Sequence, residues 1–167
     1  MHEKLTRSDV EKIEEEIEHR KVELRPELNA AVKEARAQGD LSENFEYYAA
    51  RKEKGANDSR IRYLEAMLRT AEIIDDEVGR EDEVALNKPV DLYFPEDDEE
   101  QHIRLVTSIR GNSLKGLISI ESPLGRAITG RREGEHVRVN VGGGEYEVVI
   151  RKVYDAIDDS ADTIKSF

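Results

Sequence analysis

The segment GDLSEN, residues 39 to 44, carries oxygen-bearing side chains whose types and spacing suit a divalent cation. Asp40 and Glu43 lie three positions apart, with Ser42 between them. Carboxylates are the ligands that Mg²⁺ prefers in proteins, and a bound Mg²⁺ can position a water molecule for hydrolysis. Because Mg²⁺ takes six oxygen ligands and this segment offers two or three, the pattern predicts half of a metal site, which a partner or a substrate phosphate completes.

Helix capping is the competing interpretation of the same two acids. Asp40 and Glu43 have the spacing of a capping box, and both carboxylates would be stabilised by the positive end of a helix that follows them. Capping leaves Glu46 and the aromatic residues of this segment unexplained. These aromatic residues are Phe45, Tyr47 and Tyr48. Acidic and aromatic side chains without a packing partner at the end of a rod indicate insertion into another molecule.

Two helical patterns meet at this segment. The apolar residues of the first recur every three, four or seven positions over residues 8–38: Val10, Ile13, Ile17, Leu24, Leu28, Ala31 and Ala35. Those of the second follow Gly39: Phe45, Ala49, Ala56, Ile61, Leu64, Leu68 and Ala71. Both stripes are narrow and surrounded by charge, so each is expected to be buried against the other. We therefore predict an antiparallel coiled-coil hairpin over residues 1–76, roughly 45 Å long, with a local bend at Pro26.

Beyond a charged linker the period of the sequence falls to two, which is typical of strands. Strand patterns occupy residues 88–94, 102–109, 114–120, 136–141 and 145–154. A short helix is expected to interrupt them, because Ser122 suits an N-cap, Pro123 suits the first helical position and Gly130 can end the helix. The glycines of VGGGEY predict a hairpin turn between the last two strands. We therefore predict a small α+β domain, with a mostly antiparallel sheet, over residues 77–167.

Composition excludes several classes of protein. The net charge of −12 argues against a protein whose main work is coating duplex nucleic acid, since that binding depends on neutralising phosphates. The chain has no cysteine, so it has neither disulfides nor a thiolate metal site. It shows no signal peptide and no apolar run of membrane-spanning length, so we expect a cytoplasmic protein that does not contact a membrane. The acidic run PEDDEE, residues 95–100, is interpreted as a solvated loop.

Three motifs together resemble one family. RPE at residues 25–27, GDLSEN at 39–44 and SPLGRA at 122–127 are similar to motifs of the bacterial Gre transcript cleavage factors, and more to the GreA than to the GreB branch. The similar segments, which cover nearly the whole chain, are residues 24–55, 60–75 and 118–139. Each motif alone is a weak signal, but the combination is specific.

The resemblance implies a fold and a function. Gre factors pair an N-terminal coiled coil with a C-terminal domain of FKBP-like fold, which docks at the rim of the secondary channel of bacterial RNA polymerase. The coil enters the channel, where its acidic tip helps the polymerase to hold a second Mg²⁺ and to hydrolyse backtracked nascent RNA near its 3′ end. By this resemblance Asp40 is the principal Mg²⁺ ligand, Glu43 assists the metal or the attacking water, and Ser42 orients the tip. The protein is then expected to be a monomeric accessory to the polymerase and not an enzyme.

The resemblance also implies two contact regions. Basic residues near the tip of Gre factors contact the extruded RNA, and the matching candidates are Arg36, Arg51, Lys52 and Lys54. The segment that Gre factors use in polymerase docking matches Glu121, Ser122 and Pro123. Each assignment has an alternative, because basic residues also suit the solvated surface of a helix and the docking segment also suits a helix start.

Two other functions remain open. One is a Gre paralogue that binds the same channel and inhibits or modulates the polymerase without stimulating cleavage. The other is a coiled-coil adaptor or spacer with no link to transcription. Phe45 and Tyr48 depart from the family, which more often has a small residue and a histidine at these positions. A bulky residue at position 45 can either deepen or obstruct the contact with the channel, so cleavage efficiency is the property to test.

Overall fold

The computed structural model describes residues 2–39, 44–76 and 79–166. Within these residues the chain forms two compact units. The helical unit consists of His2 and Val10–Ala71, and the sheet unit consists of Glu3–Asp9 together with the residues that follow Ala71. The first segment of the chain therefore belongs to the sheet unit, whereas the sequence-based division at residues 76 and 77 placed it with the hairpin.

The helical unit is a hairpin of two arms. The first arm runs through α1 (Arg7–His19), a π-helical segment (Arg20–Leu24) and α2 (Arg25–Ala37). The second arm is α3 (Phe45–Thr70). Contacts between the arms join Glu16 to Arg60 and Arg36 to Tyr47, so the arms run antiparallel. The predicted antiparallel hairpin is confirmed.

The π-helical segment lies where the sequence predicts a disturbance of the first arm. Pro26 has no N–H, so the carbonyl of Val22, four residues earlier, lacks its usual α-helical donor. The chain forms a wider turn at this point, in which the N–H of Arg25 donates to the carbonyl of Arg20, five residues before it. The disturbance at Pro26 is thus a local change of helix type, and the arm stays helical through it.

The buried face of α3 differs from the predicted stripe in its first half. Its buried residues are Tyr47, Asn57, Arg60, Ile61, Leu64 and Met67. Ile61 and Leu64 lie on the predicted stripe. Phe45, Ala49 and Ala56 are exposed, so their predicted inward positions were wrong. The error arose because polar residues and a tyrosine take the inward positions here, and such residues are ordinarily assigned to the surface.

A polar layer joins the two arms near their middle. The carboxylate of Glu16 accepts hydrogen bonds from Arg20 and Arg60, each with a nitrogen to oxygen distance of 2.8 Å. Asn57 accepts from the guanidinium of Arg20 at 2.9 Å and donates to the Arg20 carbonyl at 3.2 Å. Burial alone would raise the pKa of Glu16, but the hydrogen bonds and charges of Arg60 and Arg20 together outweigh it and lower that pKa. These paired groups restrict the register of the two arms.

The sheet unit contains a pair of short strands and a five-stranded sheet. The short strands, which run parallel, are β1 (Lys4–Leu5) and β2 (Glu72–Ile73). The strands of the sheet are β3 (Pro89–Phe94), β4 (Glu99–Val106), β5 (Leu117–Ser119), β6 (His136–Val141) and β7 (Gly144–Val153). They lie in the order β5-β4-β3-β7-β6; β4 and β5 run parallel, and the other neighbouring pairs run antiparallel. The predicted α+β class and mostly antiparallel sheet are confirmed.

A short helix, α4 (Pro123–Ile128), packs on the apolar core of this sheet. Ile128 is fully buried in that core. Ser122 caps α4 as predicted, since its hydroxyl accepts from the N–H of Gly125 at 3.0 Å. Gly125 comes so close to the preceding strand that a Cβ would lie 2.0 Å from the carbonyl oxygen of Ser119, so this position requires glycine.

A buried ion network ties distant parts of the chain together inside the sheet unit. The fully buried side chain of Arg110 donates to Asp9 at 2.6 Å and to Asp162 at 2.8 Å. Asp162 also accepts from Arg104, and Thr107 donates to Asp9 at 2.7 Å. Asp9 and Arg110 are 101 positions apart in the sequence, so no local pattern indicates this contact.

Candidate functional site

Asp40, Ser42 and Glu43, for which the sequence predicts metal binding and catalysis, lie outside the described residues. Their roles therefore stay predictions. The structure does describe the residues on either side of them, at the end of α2 and the start of α3. We call these residues, 35–39 and 44–48, the tip base.

Asn44 links the two arms at the tip base. Its side-chain oxygen accepts from the N–H of Tyr47 at 2.9 Å and so caps α3, while its side-chain nitrogen donates to the carbonyl of Ala35 in α2 at 2.7 Å. The N–H of Gln38 also donates to the Ala35 carbonyl, at 3.3 Å. Gly39 follows with a φ of +121°, a conformation that favours glycine. One side chain thus connects the last turn of α2 to the first turn of α3.

The position of this cap corrects a prediction. The sequence suggested a capping box in which Asp40 caps the second helix and Glu43 lies in its first turn. α3 begins at Phe45 and Asn44 supplies its cap, so the predicted capping box was wrong. Asn44 directly precedes the first helical residue, where its side chain can reach the free N–H groups of the first turn. Capping of α3 therefore no longer competes with metal binding as the explanation of the two acids.

The three aromatic residues of the tip base have different environments. Phe45 is 85% exposed and Tyr48 is 50% exposed, in agreement with an aromatic surface that faces a partner. Tyr47 is only 7% exposed, so its predicted exposure was wrong. The rings of Tyr47 and Tyr48 meet edge to face, with 5.5 Å between their centres. Phe45 and Tyr48 therefore provide the exposed aromatic surface of the tip base.

Arg36 binds the buried Tyr47. Its guanidinium donates to the Tyr47 hydroxyl at 3.4 Å and lies 5.6 Å from the centre of the ring. The hydrogen bond from Arg36 is the main reason that the pKa of Tyr47 is lowered, and the charges of Arg36 and Arg51 act in the same direction against the effect of burial. Arg36 therefore stabilises the tip base as well as being a candidate for RNA contact.

A groove of about 630 Å³ with basic lining runs between the arms beside the tip base. Its lining residues, which we call the basic groove, are Asn29, Val32, Lys33, Arg36, Tyr47, Arg51 and Lys54. Three of the predicted RNA contacts, Arg36, Arg51 and Lys54, lie in it, whereas Lys52 does not. The sequence analysis missed Lys33. Its position three residues before Arg36, on the same side of the helix, was the available signal.

A second groove between the arms has acidic lining. Its lining residues are Ala31, Glu34, Ala35, Gln38, Glu46 and Ala50. It shares no residue with the basic groove, and its α2 residues lie about half a turn around that helix from those of the basic groove. Glu34 and Glu46 therefore give the opposite side of the hairpin a negative charge. This placement accounts for Glu46, which the capping interpretation left unexplained.

Hydrogen bonds within the sheet unit hold the predicted docking segment. The carboxylate of Glu121 accepts from the hydroxyl of Ser108 at 2.9 Å, and its N–H donates to the hydroxyl of Ser119 at 3.0 Å. Ser122 caps α4, and Pro123 is the exposed first residue of that helix. The helix-start alternative is therefore correct for these two residues. It leaves Pro123 at the surface, and the docking role stays a prediction.

The described residues offer no metal site of their own. Among residues 2–39, 44–76 and 79–166, no three histidine, aspartate or glutamate side chains are grouped so that they could hold a metal ion. Asp40 and Glu43 therefore remain the candidate Mg²⁺ ligands of this chain, and carboxylates are ligands that this ion prefers. In the same part of the chain, no helix combines the length and the apolar composition needed to cross a membrane.

Comparisons with known proteins agree over both units. The family model described as transcription elongation factor, N-terminal, matches residues 3–73, and the model described as transcription elongation factor, GreA/GreB, C-terminal, matches residues 79–155. The transcription elongation factor GreA of Streptococcus pneumoniae serotype 19F is 38% identical over 149 residues, which cover 89% of this chain and 93% of that protein. GreA of Nitrosococcus oceani is 40% identical over 141 residues, which cover 84% and 89% of the two chains.

A solved structure has weaker similarity. The crystal structure of Gfh1, the GreA factor homolog 1 of Thermus thermophilus, is 26% identical and covers 92% of this chain and 99% of that chain, with a TM-score of 0.43. The two family models together span most of the chain, and the two GreA relatives exceed 35% identity over more than four fifths of it. The chain therefore belongs to the GreA/GreB family of transcription elongation factors.

Proposed function

We propose that this protein is a transcript cleavage factor whose hairpin enters the secondary channel of bacterial RNA polymerase and whose tip stimulates hydrolysis of backtracked RNA. Membership of the GreA/GreB family makes it a transcription elongation factor. The observation that favours cleavage is the cap of α3 by Asn44, because α3 then needs neither Asp40 nor Glu43 as its N-cap. Two neighbouring carboxylates at the end of a rod suit delivery to a site in another molecule.

In this proposal Asp40 and Glu43 hold Mg²⁺ jointly with the polymerase, and Ser42 orients the segment. When bound, this ion supplies charge stabilisation and a positioned water for hydrolysis of the phosphodiester. The contribution of the chain is to carry two carboxylates to the reacting RNA and to hold them there. Because the tip lacks a full set of ligands, the protein acts as an accessory to the polymerase and not as an enzyme.

We assign the nascent RNA 3′ end to the basic groove. Lys33, Arg36 and Arg51 supply local positive charge in a chain whose net charge is −12. Phosphate binding depends on such local charge. The acidic groove, with Glu34 and Glu46, would repel the same strand. The charge difference between the two grooves therefore directs RNA to one side of the hairpin.

We assign polymerase docking to the segment Glu121, Ser122 and Pro123 of the sheet unit. Its hydrogen bonds to Ser108 and Ser119 hold the segment while Pro123 stays at the surface. We also propose that the protein acts as a monomer.

Cleavage by a backtracked elongation complex tests the proposal. Wild-type protein with Mg²⁺ is expected to release short 3′ RNA fragments from the stalled polymerase. Asp40→Asn and Glu43→Gln should each lower the cleavage rate by about 10²- to 10³-fold, the range for loss of one group that stabilises transition-state charge, while polymerase binding is retained. Glu53→Gln is the matched control, because it removes an exposed carboxylate of α3 outside both grooves.

Two outcomes contradict the proposal. Undiminished cleavage in both tip variants would remove the assigned roles of the acids. Channel binding by the wild-type protein without cleavage would indicate an inhibitor or modulator of the polymerase.

A further inference from the structure

We infer that Asn44 is a positioning residue for RNA cleavage, an inference that rests on the proposed function. The amide of Asn44 uses one polar atom for each arm of the hairpin. Its oxygen accepts from Tyr47 at the start of α3, and its nitrogen donates to the carbonyl of Ala35 at the end of α2. Asp40 and Glu43 lie in the sequence between these two anchoring points.

The donor distinguishes Asn44 from an ordinary helix cap. Serine, aspartate and asparagine all cap helices well, because capping needs only an oxygen acceptor. Of these three, aspartate has no donor when ionised, and the single donor of serine is a hydroxyl on a shorter side chain, as in the cap Ser122, which donates to the carbonyl of Ser119. The bond to Ala35, at 2.7 Å, is shorter than the 3.3 Å bond that the same carbonyl receives from Gln38. The second contact of Asn44 is therefore a link between the arms that capping does not require.

A fixed tip base matters because the acids have to reach a site that belongs to another molecule. Reactions of this kind are sensitive to position, and a displacement of about 1 Å can lower the rate about 10²-fold. Only four residues separate Gly39 from Asn44. The distance between these two residues therefore limits where Asp40 and Glu43 can be placed.

Asn57 provides a matched control in the same helix. Its amide also joins the two arms, because its oxygen accepts from the Arg20 side chain and its nitrogen donates to the Arg20 carbonyl at 3.2 Å. Asn57 lies in the polar layer, away from the tip base. The same exchange at Asn57 therefore disturbs the hairpin without altering the link between Asn44 and Ala35.

The experiment compares Asn44→Asp and Asn44→Ser with Asn57→Asp in the full-length protein. Both exchanges at Asn44 keep an oxygen that caps α3; Asn44→Asp removes the donor to Ala35, and Asn44→Ser replaces it with a hydroxyl on a shorter side chain. They should lower the rate of RNA cleavage at saturating protein and Mg²⁺ by about tenfold or more. The protein concentration for half-maximal cleavage should change by less than about twofold, because polymerase binding is retained. Asn57→Asp should cleave within about twofold of wild type.

A second measurement does not depend on the polymerase. The ¹⁵N order parameter of the Gly39 amide reports motion on the picosecond to nanosecond timescale at the end of α2. It should fall most in Asn44→Asp, which has no donor for the carbonyl of Ala35, and should stay unchanged in Asn57→Asp.

Each possible result either supports or overturns the inference. Wild-type cleavage rates for Asn44→Asp, an unchanged Gly39 order parameter in that variant, or a loss of cleavage caused only by weaker binding would each make Asn44 a helix cap and overturn the inference. If the order parameter falls but the wild-type protein does not stimulate cleavage, the proposed function fails. The positioning role in cleavage then fails with it, while the link between the arms is supported.

Discussion

The two units of this protein pair their buried charges in different ways. In the helical unit the carboxylate of Glu16 binds two arginines, yet its side chain is still 22% exposed. In the sheet unit the side chains of Arg110 and Asp9 are fully buried. Loss of one partner from a partly exposed pair is relieved by water, whereas loss from a fully buried pair leaves an uncompensated charge. The hairpin therefore tolerates changes in its charged residues that the interior of the sheet unit does not.

The largest expected effect is at Arg110. Arg110→Met should lower the free energy of unfolding of the sheet unit by about 3 to 5 kcal/mol, because Asp9 loses its buried cation and Asp162 keeps only Arg104. Urea unfolding followed by NMR signals of the sheet unit measures the change. Arg138→Met is the control, since Arg138 forms an exposed ion pair with Glu145 and should change stability by less than about 0.5 kcal/mol. Equal effects of the two exchanges would contradict the expected difference between a fully buried and an exposed ion pair.

Gly125→Ala should have the next largest effect. The added Cβ would lie 2.0 Å from the carbonyl oxygen of Ser119, which is backbone and cannot move aside as a side chain would. Forced overpacking of this kind lowers stability by about 1 to 3 kcal/mol or more. Thermal unfolding of the sheet unit measures the loss. An unchanged midpoint would show that the start of α4 is less tightly packed than the sheet beneath it.

The effect of Glu16→Gln on stability at different pH values tests the comparison in the helical unit. The folded-state pKa of Glu16 is lowered, so its stabilising contribution is present above the unfolded-state pKa of about 4.3 and is lost as the pH falls through the folded value. The exchange should lower the free energy of unfolding by about 1 kcal/mol at pH 7, below the range of about 1.5 to 3 kcal/mol for a hydrogen bond to a charged group, because the pair is partly exposed.

Circular dichroism at 222 nm during urea unfolding measures this change, and the difference from wild type should disappear well below pH 4. The exposed Glu53 gives the control, because Glu53→Gln should have little effect at either pH. A difference at Glu16 that persisted at low pH would mean that packing, and not the charge of its carboxylate, stabilises the polar layer.

Gly55→Ala should have the smallest effect and the opposite sign. Gly55 lies inside α3, where a new Cβ meets no atom within 4 Å. Alanine should raise the stability of the hairpin by about 0.5 to 1 kcal/mol, because glycine loses more backbone entropy when a helix forms. The midpoint of urea unfolding, followed by circular dichroism at 222 nm, measures this gain in stability. A loss of stability would mean that this exposed face of α3 has an unseen packing constraint.

Much of the fold follows from local sequence signals. β3, β6 and β7 alternate apolar and polar residues and were predicted within one residue of their observed bounds, and Ser122 with Pro123 gives a clear helix start. β4 begins three residues earlier than predicted, because Glu99 and Glu100 were interpreted as part of an acidic loop. The inward face of α3 was predicted correctly at Ile61 and Leu64. The prediction failed near Tyr47 and Asn57, because these residues are buried by contacts with the other arm. The periodicity of one helix does not reveal such contacts.

The site could be predicted only in part. Asp40, Ser42 and Glu43 were identified from residue type and spacing, and their roles stay predictions. Asn44 was missed as a cap, since Asp40 with Glu43 matches the capping-box pattern in the sequence while Asn44 is defined by a contact with Ala35 in the other arm. Lys33 was missed because its one signal, a position three residues before Arg36 on the same side of the helix, is common on charged helices. Its place beside Arg36 in the basic groove becomes visible only when α3 is packed alongside.

The assignment of Glu3–Asp9 to the sheet unit has a consequence for how the protein is made and dissected. On the ribosome, Leu5 and Asp9 emerge before the hairpin, but their partners Ile73 and Arg110 are synthesised only after it. The hairpin can therefore form before the partners of residues 3–9 have been synthesised. For the same reason, a C-terminal fragment that starts after the hairpin would contain Arg110 without Asp9, so an isolated sheet unit needs the first nine residues supplied as a peptide or joined by a linker.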